Sequence, residues 1–441
     1  MIDEDLYKVA GSALKQGERA GSYEIEVFCL SGRSKNIETT RDKISLASES
    51  FERGIGIRVI VGGAIGFSST SDLKMIDESV VDAIDCARAN DSGRDWKGLP
   101  SNEKYPSVFG VYDKRIEEIA IEECLDFVTD MVEGAKKGKA YPTSGSFNCT
   151  SYSYLIMNSN GVEVSRKETM MQAYVESMAK DGDDVSTAYD FLVSRKLCPG
   201  LFELGQSASK MAIESLHGIK IAPHTTTVLF RPFAISDILE NAFEPSISSE
   251  NIQKNRSSLK GKIGQGIASD ELSIIDDGLI DAGIGTSASD DEGVPSQRTD
   301  IIEKGELKSF LYDHHTASKE EKNSTGNATR SSYSGMPRIG IRNMILSHKT
   351  SDLISETKEG ILITSVIGGH TANSVSGDFS LEGRGAFIIK DGCVGKPIKQ
   401  VMISGNVFDL IKNIDGLDTD VKMVGSVITP TVRVGGMKVV G

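Results

Sequence analysis

Apolar and polar positions along this chain repeat at two periods, one helical and one extended. Leu6, Val9, Ala10, Ala13 and Leu14 recur at helical spacing, and Gly21 is placed to stop that helix. Tyr23, Ile25 and Val27 then alternate with Glu24 and Glu26, which predicts a strand with one buried face. Ile55, Ile57, Val59 and Val61 alternate again, and Gly62-Gly63 offers a tight hairpin turn into Ala64-Ile65-Gly66-Phe67. Past Ser71, a predicted N-cap, the positions Leu73, Ile76, Val80, Ile84 and Ala87 place one apolar stripe on a long helix. Residues 91–105 turn polar, with Gly93, Gly98 and Pro100, and close a first unit.

A second unit opens on an amphipathic helix carrying Ile121, Leu125, Val128, Met131, Val132 and Ala135, ended by Gly138. Strand patterns at 152–157 and 162–166 flank Asn158-Ser159-Asn160-Gly161, a four-residue hairpin loop whose Asn-Gly pair suits left-handed turn geometry. Residues 170–178 and 186–193 read as two more strands, and a helix over 201–216, stopped by Gly218, ends the unit. From Thr225 onward the pattern is strand-rich and glycine-rich, with short helical exceptions at 353–360 and 407–411. The expected class is α+β: an N-terminal α/β domain over 1–100, a middle helix-plus-antiparallel-sheet domain over 101–222, and a strand-rich mixed C-terminal domain over 223–441.

Composition narrows the function classes. At 39% hydrophobic and 25% charged, the 441 residues describe an ordinary globular chain. A net charge of −14 argues against a nucleic-acid surface, since phosphate contacts need clustered Lys and Arg. No window is apolar enough for a membrane span, and the first twenty residues, with Asp3, Glu4 and Asp5, do not read as an export signal. Six scattered cysteines without a CxxC pair read as thiols of a reducing compartment, and the expected location is the cytoplasm. No GxSxG elbow and no GxxxxGK[ST] loop occurs, and Gly54-Ile55-Gly56 lacks the third glycine of a dinucleotide fingerprint.

The densest candidate chemistry lies in residues 290–327. The triplet Asp290-Asp291-Glu292 runs into Gly293-Val294-Pro295, a turn with one fixed φ. Ile301-Ile302, a Lys304-Gly305 turn and residues 307–311 then read as a hairpin with Pro295 outside any central strand. The triplet can be read as a cation site, or more simply, beside a Gly-x-Pro turn with Arg298 near, as a loop tied down by charge-assisted hydrogen bonds. This block, together with Ser324-Thr325-Gly326-Asn327-Ala328, Gly377-Asp378-Phe379-Ser380 and the tail from Val434 through Gly441, closely resembles the TldD/PmbA family, also called modulators of DNA gyrase. The resemblance spans nearly the whole chain.

That resemblance implies two kinds of chain. In the TldD kind, a strand leads through a Pro into a helix bearing HExxxH, whose histidines bind zinc and whose Glu is the general base. A Cys near the C-terminus completes the site. Imidazole and thiolate ligands hold Zn²⁺ with one position open, and the metal lowers the pKa of its water to ~7. Here the strand at 225–230 and Pro232 are present, but the motif positions fall on Glu240-Asn241-Ala242-Phe243-Glu244-Pro245. Glu240 stands at the first ligand position, Asn241 at the base and Pro245 at the second ligand, where it is also expected to end the helix. No cysteine follows Cys393. The resemblance therefore implies the PmbA or TldE kind, with no catalytic residue, no metal ligand and no cofactor of its own. Zinc is expected in a TldD-like partner, peptides as the substrates, and a homodimer when the chain is isolated.

Other readings remain at this stage. Asp237, Glu240 and Glu244 share one helix face, which reads as a solvated acidic face or as a hard-cation site. His370, in Gly368-Gly369-His370-Thr371, lies in a loop and is a candidate ligand contact. His314-His315 is read as strand, which would send the two rings to opposite faces, and His217 as the last turn of a helix. An autonomous metal-dependent hydrolase and a protein-binding regulator of gyrase are the alternatives.

Overall fold

The structure is a computed structural model that describes residues 4–20, 24–90 and 96–441; Gly21, Tyr23 and Gly93 lie outside the described residues. Six strands form the first sheet: β1 (Glu24–Thr40), β2 (Lys43–Val61), β3 (Ala64–Thr70), β4 (Ala140–Asn158), β5 (Glu163–Asp181) and β6 (Asp184–Ser194). Their order is β3-β2-β1-β4-β5-β6, antiparallel throughout. Strands from residues 24–70 and from residues 140–194 thus share one sheet, joined where β1 pairs with β4. Gly62 and Gly63, at φ of 57° and 79°, make the turn between β2 and β3, where side chains would be strained.

One face of this sheet carries the helices. Ile25, Val27 and Cys29 of β1 pack under Glu4–Arg19 and Ile76–Ala89, whereas Ile37, farther along the same face, packs under Ile121–Ala135 and Leu201–Glu214. The other face is not solvated as the alternation of Glu24 and Glu26 suggests. Phe28, Leu30 and Ile156 cluster there with Tyr333 of the C-terminal domain, and Glu26 is buried. An alternating strand is covered on its polar side because a second domain docks on it.

The C-terminal domain contains a closed ring of strands. Strand β7 (His224–Phe230) pairs with Glu359–Ile367, which pairs with Asp378–Lys390, then Val401–Asn406, then Val432–Val440, which returns to β7. Closure leaves none of these five with a wholly free edge, and their inward apolar side chains form the largest core of the molecule. A second sheet beside it includes Ser273–Asp277, Arg298–Glu303 and Met344–Ser347. The architecture is mixed α+β with a strand-rich C-terminal barrel domain.

Several local expectations shift. Asp72 rather than Ser71 caps the turn before Ile76–Ala89, accepting from the Lys74 N–H. The helix at 201 ends at Glu214, and His217 lies beyond it in the left-handed region at φ 58°, its ring bonded to Asp181. The helix at 353 spans only Leu353–Glu356 because Glu359 already enters the barrel. The Lys304-Gly305 hairpin forms, with Pro295 outside its strands, but the second strand is only Glu306–Leu307. Among the described residues, no helix is long and apolar enough to cross a membrane.

Candidate functional site

Strand β7 leaves the barrel wall at Arg231 and enters a helix at Pro232, whose fixed φ and missing N–H suit the first turn. The helix opens as Pro232–Ile238, passes through a π-turn over Leu239–Phe243, and closes as Glu244–Ile247. It therefore runs through Pro245, contrary to the expectation that Pro245 ends it. The Glu244 N–H reaches back five residues to the Leu239 carbonyl, so Pro245 becomes the second residue of a new turn, where no N–H is needed. Ala234, Ile235, Ile238, Leu239, Ala242, Phe243 and Ile247 face the domain core.

The opposite side presents Asp237, Glu240, Asn241 and Glu244, all half-buried rather than solvated. Each carboxyl is capped by a backbone N–H from a different loop: Asp237 by Gly369, Glu240 by Ser426, and Glu244 by Ile341 at 3.3 Å. Burial raises the pKa of all three. Glu240, crowded also by the charges of Glu244 and Asp237, is pushed up to about 7, and Glu244 to about 7. Asn241 donates its side-chain amide to the Asp237 carboxylate at 2.7 Å and to the Asp237 carbonyl at 2.9 Å. His370, exposed in a 3₁₀ turn over Gly369–Thr371, stands close enough to Asp237 for its charge to favour the ionised carboxylate. A Cβ at Gly369 would lie 2.5 Å from Asp237 Oδ1, so only glycine allows this approach. The structure thus brings together Asp237, Glu240, Asn241, Glu244 and His370; Pro245 lies on the same helix and offers no donor.

These residues do not fit a zinc site. Asn241 is an amide already committed to Asp237, Pro245 has no ligand atom, and Cys393 is exposed on the strand Cys393–Pro397. Among the described residues, no group of three His, Cys, Asp or Glu is arranged to hold a metal.

The triplet Asp290-Asp291-Glu292 is buried where the barrel domain meets the first sheet. Charge-assisted bonds hold it, but from residues that sequence reading passed over. Arg58 of β2 donates to Glu292 at 2.6 Å and to Glu26 at 2.5 Å; Arg330 also reaches Glu26, and Arg166 reaches Asp291. Glu168 ties Arg166 at 2.8 Å to Arg195 at 3.0 Å. Burial works to raise the Asp291 carboxyl, but Arg166 and Arg342 outweigh it and hold the group below its ordinary range. Asp290 goes the other way, raised by burial and by Glu292. Arg298 instead pairs with Asp300 at the surface. The available signal was Arg58 inside the apolar run Ile57 to Ile60, a charge that such a strand keeps only with partners. His314 and His315 begin the helix His314–Lys319 rather than a strand, because Asp313 caps it by accepting from the Thr316 N–H; the His314 N–H donates to Glu292 at 2.9 Å.

Three segments match known domains: residues 25–90 the PmbA/TldA metallopeptidase domain 1, residues 114–216 its central domain, and residues 223–441 its C-terminal domain. An uncharacterized protein of Methanocaldococcus jannaschii is 32% identical over 419 residues, covering 95% of this chain and 97% of that protein. The chain belongs to the PmbA/TldD metallopeptidase family. The same PmbA/TldD fold appears in a Thermotoga maritima protein described as a modulator of a DNA gyrase, with TM-score 0.91 and 26% identity, covering 98% of this chain and 99% of that one. TldE from Thermococcus kodakarensis shares the fold at TM-score 0.91 and 24% identity, covering 98% of this chain and 100% of that one.

Proposed function

We propose that this chain is the non-catalytic, TldE-type subunit of a cytoplasmic TldD/TldE zinc metallopeptidase that degrades or processes unfolded peptides. The observation that carries the reading is the fate of the motif helix. It keeps the strand, the Pro entry and the helical turns, while the family resemblance lays Glu240, Asn241 and Pro245 on the ligand, base and ligand positions. The carboxyls on that face anchor the loops at Gly369, Ser426 and Ile341, a bracing role that needs no metal. On this reading the chain supports a TldD-like subunit that carries the zinc, and peptides are cleaved there. The likeness to TldE supports it.

The test is to purify the chain alone and mixed with a TldD-like chain. Alone, it is expected to hold no stoichiometric zinc and to cleave no peptide. The mixture is expected to co-elute and to exceed the peptidase activity of the TldD-like chain by itself. One tightly bound zinc per isolated chain, lost on Glu240→Gln or His370→Ala, would replace this reading with an autonomous hydrolase built on the Asp237–His370 cluster.

A further inference from the structure

Strand β2 is longer than the strand that covers it. β3 pairs only with residues 55–61 of β2, from Ile55 opposite Thr70 to Val61 opposite Ala64. Residues 43–54 pair with β1 on one side and, among the described residues, with no strand or bridge on the other. The result is an open sheet edge ~40 Å long at the usual rise of a strand, with alternate N–H and C=O groups directed outward.

Three large apolar side chains stand exposed along this edge. Phe51 is 75% exposed, Ile44 46% and Leu46 43%. Phe51 stands opposite Arg33 and Leu46 opposite Glu38 in β1, five residues apart, so the two project from opposite faces of the sheet. The run Ile44-Ser45-Leu46-Ala47-Ser48 contains no charge, proline or glycine. Edges that remain free are usually short, bulged or guarded by lysine and proline; this one has one bulge, opposite residues 38 and 39 of β1, and is otherwise regular.

We infer that residues 43–54 form a docking edge for the same edge of a second copy of this chain, two β2 strands pairing antiparallel so that two first sheets become one. The inference rests on the reading of this chain as one half of a pair. Electrostatics favours a mate of this kind. The chain as a whole carries −14, so two copies repel over most of their surface. Within 43–54, however, Lys43 and Arg53 cancel Glu49 and Glu52. Apolar side chains on both faces suit strand addition, which covers both at once, better than docking onto a flat surface. A two-fold pair uses one patch twice, and a self-complementary edge is such a patch.

The experiment compares the full-length chain with L46K/F51K, two substitutions at exposed positions that blunt the edge without touching the core. Light scattering at micromolar concentration is expected to give a dimer for the wild type and a monomer for the variant, an association weakened about tenfold or more. Hydrogen exchange on the wild type is expected to show outward amides of residues 43–54 protected, and that protection lost in the variant while β4 and β5 stay protected. A variant that dimerises as well as the wild type, or unprotected 43–54 amides in a wild-type dimer, overturns the docking edge and leaves the partner-subunit reading standing. A monomeric wild type also overturns it. Failure to co-elute with a TldD-like chain is the separate result that removes the partner-subunit reading itself.

Discussion

Asn241 donates its side-chain amide to Asp237 across 2.7 Å, one helical turn back on the same face. Asn241 is therefore a structural donor that holds a carboxylate in place. Asn241→Glu is expected to create neither zinc binding nor peptidase activity, since a base without a metal-bound water has no nucleophile to activate. It would take the amide donor away from Asp237 and set an acidic group against it, and the chain should lose about 1–3 kcal/mol of stability. Asn241→Ala should cost less, about 1 kcal/mol. Denaturant unfolding and elemental analysis of both variants check this; zinc uptake by Asn241→Glu would refute it.

Glu240 and Glu244 titrate near pH 7 in the folded chain, against 4.5 for an ordinary glutamate, because burial disfavours their charged forms. As pH rises from the ordinary value toward 7, the unfolded chain gives up these protons before the folded chain does. The stabilisation they confer is complete below pH 4.5, declines through the interval and is lost above 7. The double variant Glu240→Gln, Glu244→Gln should consequently melt higher than the wild type at pH 8 and no higher at pH 4. Melting curves at both pH values decide it, and a variant that melts lower at pH 8 would mean that ionised carboxylates brace the loops.

Gly369 is the contact point of the His370 turn with the motif helix. Gly369→Ala places a methyl group 2.5 Å from Asp237 Oδ1 and is expected to cost about 1–3 kcal/mol by overpacking. Gly435→Ala, where nothing lies within 4 Å, is the matched control and should leave the melting temperature nearly unchanged. Equal effects at the two positions would rule out a packing cause.

Arg58 is expected to be the most sensitive of these positions. Arg58→Met removes the ion-pair partner of Glu292 and one of the two ion-pair partners of Glu26, both buried, and should destabilise the protein by about 3–5 kcal/mol. Arg58→Lys should recover only part of that, because a single ammonium cannot present the forked donors that reach both carboxylates. Full recovery in Arg58→Lys, measured by denaturant unfolding, would show that charge alone matters there.

Local signals in the sequence were read well where one period ruled. The stripe from Ile121 to Ala135, the Asn158 to Gly161 turn and the Lys304-Gly305 hairpin all appear in the structure. Errors arose where a distant segment decides the outcome. Glu26 belongs to an alternating strand and reads as solvent-facing, yet Arg58 and Arg330 bury it from 32 and 304 residues away. His314 and His315 follow a strand pattern, but Asp313 captures the next turn as a cap. Pro245 looked terminal because a π-turn, which shifts the hydrogen-bond ladder by one residue, leaves no periodic trace. The acidic positions of the motif helix were legible as a face, but not the loops that cover it, since Gly369, Ser426 and Ile341 come from separate stretches of chain.

The clasp of Arg58 between Glu26 and Glu292 also bears on how the molecule can be divided. The barrel domain owns Glu292 and Arg330, while the first sheet owns Glu26 and Arg58, so the Arg58–Glu292 and Arg330–Glu26 ion pairs exist only where the two parts meet. A fragment cut at residue 222 would open Phe28, Leu30 and Ile156 to water and leave Glu292 without its cation. The barrel is thus not a portable module: any chimera that transplants it must carry β1 and β2 along, or supply a new cation at the seam.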